Sequence, residues 1–360
     1  MNAIRLLFMS WAYVACLSPS FAIPGFPQQS PVPSEVIFVP VVVHLVHDPL
    51  HSPQTKAELE ALVAPQIKRL NADFSRRNAN FYDQRYMPEA LRDKMGAAMI
   101  QFYLAPAQPN GTSTTLAKTG SSLPGVTYRA SRLASFPPND GPGFYRALKS
   151  AKHGQKAWDP TRYLNIWVAE IEEYSGVAQY PWQYHLGPQW QEADGVVIDI
   201  AAFGVKEPAR SARDGGRTLT HEIGHWLGLL HPFHEEGGHR DDFLADTPIP
   251  QQQNAAHYTW DAAPPALQPD DATAHKGKAF FMNFMDYAWD HCRNSFTHGQ
   301  VQRMRSAFEL PHIGIRQFSP KEVKGSRSYF QFPNIRPVSG RSFLCQGKER
   351  VFTAPSDGVL

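Results

Sequence analysis

An α/β fold with a twisted, mostly parallel sheet is what this 360-residue sequence predicts, on three observations. Val36 to Val46 (VIFVPVVVHLV) is a near-continuous β-branched run, the mark of a strand buried on both faces. Segments of strand length and of helical spacing then alternate along the chain, the order of a layered α/β domain. Finally, TLTHEIGHWLGLLH at Thr218 to His231 sets two histidines four residues apart, on one face of a helix.

Taken in order, residues 1–22 read as a signal peptide, with Arg5 as the positive region, Leu6 to Leu17 as the apolar stretch and cleavage after Ala22. The chain is therefore expected to be secreted or extracytoplasmic. The apolar run is shorter than the ~20 residues of a spanning helix, so no transmembrane segment is expected in the mature chain. Lipoprotein processing at Cys16 is the alternative, disfavoured by Tyr13 three residues before it. Residues 23–35 are Pro-rich and read as a short extended segment, and 36–310 as one catalytic domain.

Within that domain Pro40 predicts an irregularity in the first strand. Leu59, Leu62, Val63, Ile67, Leu70 and Phe74 follow helical spacing, with Pro65 either kinking that helix or marking its start. Further strands are expected at Met99 to Leu104, Gly125 to Arg129, Tyr163 to Val168 and Val196 to Ile200, and a helix at Phe144 to Ala151. The motif helix closes an upper subdomain at about residue 231. Residues 232–310 form a lower, irregular one, ending in a helix that Thr297-x-x-Gln300 caps and that runs to Phe308. Residues 311–360, with apparent short strands such as Ser328 to Phe332, have no assigned role.

Composition narrows the function. A content of 42% hydrophobic and 12% aromatic residues is enough for a sizeable core. Lys and Arg total 35 against 33 Asp and Glu, a net charge of +2 with no basic run, so no nucleic-acid partner is indicated. Without the leader two cysteines remain, Cys292 and Cys345. In an oxidising compartment they are a candidate disulfide, closing a loop worth about 4 kcal/mol in the chain-entropy model; two separate thiols are the alternative.

His221, Glu222, His225, Gly228 and His231 fit H-E-x-x-H-x-x-G-x-x-H. The first two histidines clamp one point from a helix face. Gly228 can stop the helix in a left-handed conformation, which lets His231 return as a third nitrogen ligand. Three protein ligands leave a fourth tetrahedral position open, the arrangement of a catalytic zinc. Glu222, about 100° around the helix from His221, is placed as general base.

This long motif, followed by Asn283-Phe284-Met285-Asp286-Tyr287, resembles the metzincin metallopeptidases. AWDPTRYLNIWV at Ala157, GVAQYP at Gly176, ADTP at Ala245 and NFMDYAWDHC running into FTHGQVQRM are similar to the pappalysin family in particular. The resemblance covers about residues 36–310. It implies zinc held by His221, His225 and His231, Glu222 as base and later acid, Met285 as an apolar floor, and Tyr287 beside the metal as an oxyanion donor. It further implies an edge strand of Gly176, Val177, Ala178, Gln179 and Tyr180 to which a polypeptide substrate adds by backbone pairing. Asp290 is its candidate for a specificity pocket. Asp241, Asp242 and Asp246 are candidate calcium ligands, carboxylates in a loop being suited to a hard cation. Relatives' extra cysteines near the Asp-Thr-Pro segment are missing here. The expected function is that of a secreted zinc endopeptidase; the alternatives are a non-catalytic, zinc-stabilised adhesion module and a zinc hydrolase of a non-peptide amide.

Overall fold

The computed structural model describes residues 33, 35–105, 120–138, 144–206, 211–233, 242–250, 253–262 and 279–310. The expected signal peptide of residues 1–22, with Cys16 in it, Asp241, Cys345 and residues 311–360 lie outside the described residues.

β1 (Ile37–His47) is the spine of the sheet. One edge pairs in parallel with β5 (Leu164–Ala169). It also pairs in parallel with β3 (Ile100–Leu104) through its first half and with β4 (Val126–Ala130) through its second. Beyond β5 comes β7 (Val196–Asp199), parallel, and then β6 (Gly176–Ala178), antiparallel, at the margin. A two-stranded ribbon of β2 (Met95–Gly96) and β8 (Phe296–Thr297) stands apart. The mostly parallel α/β sheet expected from the sequence is present.

Alternation along β1 explains its continuous apolar run. Val39, Val41, Val43 and Leu45 enter the main core, while Val42 and Val46 enter smaller clusters with Trp158 and Trp167. The strand passes through Pro40 in unbroken register with Tyr103, so the expected irregularity does not occur. Helix α1 (Lys56–Phe74) buries Leu59, Val63, Ile67, Leu70 and Phe74 against the sheet. It starts at a Thr55–Glu58 capping box, which places Pro65 inside the helix and not at its start. A short α2 (Pro188–Glu192) buries no side chain, while the motif helix α3 (Arg217–Trp226) and α4 (His298–Ser306) extend the main core with Leu219, Ile223, Val301 and Met304. Thr297 caps α4 through the predicted box with Gln300.

The helix expected at Phe144 to Ala151 is a series of turns. Tyr145 has φ +60°, and its hydroxyl donates to the Glu172 carbonyl at 2.5 Å, so a tertiary bond overrides the helical spacing.

His44, on β1, is fully buried between sheet neighbours. Its Nε2 donates to Asn165 Oδ1 at 2.9 Å and its Nδ1 accepts from the Thr127 hydroxyl at 2.8 Å. Burial lowers its pKa from 6.5 to about 4, against a raising contribution from the Asn165 bond. The unfolded chain therefore takes up this proton first, and stability falls as pH drops from about 6.5 to about 4. His44 is expected to account for about 3 kcal/mol of that acid loss. Thermal melts of the wild type and of His44→Gln across this window should show a flatter pH dependence in the variant.

Candidate metal centre

Helix α3 carries His221, Glu222 and His225, all buried. Gly216 precedes it with φ +73° and supplies no capping side chain; Asp290 instead accepts the Arg217 backbone N–H at 2.9 Å, satisfying one of the helix's orphan donors with a carboxylate at its positive end. The helix stops at Gly228, whose φ of +88° is open to glycine at little cost. There the Leu229 N–H bonds the Gly224 carbonyl at 3.0 Å and the Gly228 N–H the His225 carbonyl at 2.8 Å, a Schellman closure. The same stop orients a ring, because the Leu229 carbonyl accepts from His225 Nδ1 at 2.8 Å.

His231 then returns onto the helix. The three Nε2 atoms stand 3.0, 3.0 and 2.9 Å apart, near the roughly 3.3 Å of two nitrogens sharing a tetrahedral zinc at 2.0–2.1 Å. His221 Nδ1 is 2.8 Å from the Phe284 carbonyl. Carbonyls only accept, so the Nδ1 atoms of His221 and His225 carry the protons and their Nε2 atoms present lone pairs. Burial first, then the neighbouring His225, His231 and Arg293, hold His221 well below its ordinary pKa. Neutral nitrogens facing one another at this separation repel unless a cation lies among them. The residues thus fit a zinc ion, and among the described residues they form the one His/Cys/Asp/Glu cluster able to hold a metal.

Three other expected residues gather around these rings. Met285 is fully buried in the main core, and a Cβ on Gly224 would lie 2.4 Å from its sulfur, so the helix and the Met285 turn meet at a position only glycine fits. The Tyr287 ring packs on His221 at 5.5 Å and on His231 at 4.9 Å, centroid to centroid. Gly176 of β6 sits against Glu222: a Cβ there would be 2.7 Å from Glu222 Cγ. The edge segment is a strand only over Gly176–Ala178; Gln179 still bonds Gly195, and Tyr180 turns away to lay its ring edge-on to His225 at 5.3 Å.

One expectation changes. Asp290 is fully buried, with one carboxylate oxygen taken by the Arg217 N–H and the other paired with Arg293, so it anchors α3 and lines no accessible pocket. Asp246 gives one oxygen to Thr297 and the other to the Gly299 N–H, serving the start of α4, while Asp242 is buried in the same loop. Cys292 is buried in a second cluster with Phe81, Met95 and Phe281. The sequence reading missed Gly224, Arg293 and Phe233, whose ring stacks on His231 at 4.8 Å. Gly224 had a signal: glycine inside a helix costs about 1 kcal/mol against alanine, and a position that retains it has a packing reason.

Sheet, motif helix and three-histidine cluster define a metallopeptidase domain of metzincin type. A family model described as pregnancy-associated plasma protein-A matches residues 148–309. Mature mirolysin of Tannerella forsythia is 36% identical with a TM-score of 0.64, over 81% of this chain and 98% of that one. Its promirolysin is 34% identical with a TM-score of 0.63, over 81% and 87%. The chain belongs to the pappalysin family of metallopeptidases. A protein named extracellular metalloprotease from Arthroderma benhamiae is 34% identical over 168 residues, 45% of this chain and 52% of that protein. The chain thus spans about half the length of the first curated relatives it matches.

Gly224→Ala is expected to force Met285 aside and to cost about 1–3 kcal/mol, the usual range for overpacking. Chemical denaturation checks it; a midpoint equal to wild type would show that the turn yields freely.

Proposed function

We propose that the chain is a secreted zinc endopeptidase whose catalytic domain spans residues 36–310. The observation that carries this is the convergence of His221, His225 and His231, with Glu222 on the same helix and the marginal strand β6 beside it. A zinc ion held there supplies Lewis acidity, polarising a carbonyl and making water a stronger acid near pH 7. Glu222 takes the proton of the attacking water and delivers it to the leaving amine. Gly176, lacking a side chain, leaves room for that carboxylate against the edge strand. Tyr287, packed on two of the ligand rings, is the donor assigned to the developing oxyanion, a kind of contact worth about 3 kcal/mol.

A polypeptide substrate follows from β6, whose outer edge has no strand partner among the described residues and can add an extended chain. Mirolysin, the relative, has been solved in complex with a cleaved peptide. Secretion rests on the extracellular relatives and on the reading of residues 1–22 as a signal peptide cleaved after Ala22; among the described residues no helix is long and apolar enough to cross a membrane. Pairing of Cys292 with Cys345 belongs to the same proposal. So does calcium in the loop of Asp241, Asp242 and Asp246: desolvation lifts the Asp242 carboxyl to about 7, a penalty that a hard cation would relieve.

Glu222→Ala is expected to retain one zinc per chain and to lose hydrolysis of an unfolded protein substrate by at least 10²-fold. Elemental analysis beside the activity assay decides it, and full activity in the zinc-loaded variant would refute the role. For calcium, thermal melts in a calcium-selective chelator should fall and recover on adding calcium alone; an unmoved melting point would remove the ion.

A further inference from the structure

We propose that Arg293 is a positioning residue for the ligand His221, acting through the backbone of the Met285 turn; the inference rests on the zinc reading above. Its side chain is 7% exposed. Nη1 donates to the Phe284 carbonyl at 3.2 Å and to the Asp286 carbonyl at 3.1 Å, the two peptide oxygens flanking Met285. The Phe284 carbonyl is also the acceptor for His221 Nδ1, and Nη1 lies 3.4 Å from that nitrogen. Nη2 pairs with Asp290, whose other oxygen accepts the Arg217 N–H at the first turn of α3.

These bonds close a ring: from the start of α3 through Asp290 and Arg293 to the Phe284 carbonyl, and back onto α3 at His221. The register of the helix and the rotation of its first ligand are therefore set by one guanidinium. A planar fork with separated donors can span both ends of this path, which a lysine ammonium cannot.

Charge alone would act in the opposite sense. A guanidinium beside a ligand ring disfavours a divalent cation and lowers ligand basicity, whereas partners of ligating histidines are usually carboxylates, carbonyls or water. Asp290 offsets that charge. The two effects then predict different directions: removal of Arg293 tightens zinc if charge dominates and weakens it if positioning does.

The test uses the full chain with Arg293→Met and Arg293→Lys. Zinc affinity is read by competition with a chromophoric chelator, ligand geometry by the visible spectrum of the cobalt(II)-substituted protein, and folding by near-ultraviolet circular dichroism. Arg293→Met is expected to fold, to lose zinc affinity by about 10–100-fold and to shift the cobalt bands, with Arg293→Lys between it and wild type. Unchanged or tighter zinc with an unchanged cobalt spectrum in a folded variant would overturn the assignment. Failure of both variants to fold would do so too, by making the residue a requirement of the fold. A wild type that binds no zinc would instead sink the proposed function itself.

Discussion

Three imidazole nitrogens held about 3 Å apart, each edge given by the Nε2 separations, are the constraint on which this molecule depends. Left to themselves the rings would turn away from one another, since neutral nitrogens at that distance gain nothing and lose their water. Two of them are prevented by carbonyls that hold the opposite nitrogen. One carbonyl, of Leu229, is delivered by the helix stop; the other, of Phe284, comes from a turn far along the chain. The centre is therefore an intersection of a helix end and a distant turn, and the motif helix alone could not make it.

Close backbone approach is how that intersection is held. Gly224 admits the Met285 sulfur against α3, and Gly176 admits Glu222 against β6. At both positions a single methyl group would lie inside van der Waals contact, so the spacing between the turn, the helix and the sheet margin has little slack. Tight contact of this kind converts small displacements of the turn into displacements of a ligand ring. It also accounts for aromatic rings on several sides of the cluster, since Tyr180, Phe233 and Tyr287 fill volume that water would otherwise occupy.

What could be read from the sequence was local periodicity and spacing: the two-faced burial of β1, the ligand spacing, the left-handed stop at Gly228 and the capping box at Thr297. Tertiary partners were not legible. Helical spacing from Phe144 to Ala151 gave no warning that the Tyr145 hydroxyl would be captured by the Glu172 carbonyl. The ribbon of β2 with β8 joins residues about two hundred positions apart and is too short to show alternation. Pro65 left two readings open, and the deciding feature, a cap at Thr55, lay upstream of the apolar pattern. Asp290 was placed by resemblance in a pocket; the partners that bury it, Arg217 and Arg293, are an ordinary-looking pair until folding brings them together.

That burial raises a question of energetics. Asp73, Arg217, Asp290 and Arg293 form two buried ion pairs, with Thr220 also bonded to Asp73 at 2.9 Å. Ion pairs of this kind repay desolvation poorly, and well-packed apolar replacements are often equally stable. Stability is thus a weak reason for placing four charges beneath a metal centre. Geometry is a stronger one: an apolar contact can slide, whereas a guanidinium bonded at both ends fixes distance and angle together. The cluster is also balanced, two positive against two negative, and it imposes direction on α3 and the turn. Such an arrangement suits a site whose own cation must enter and remain.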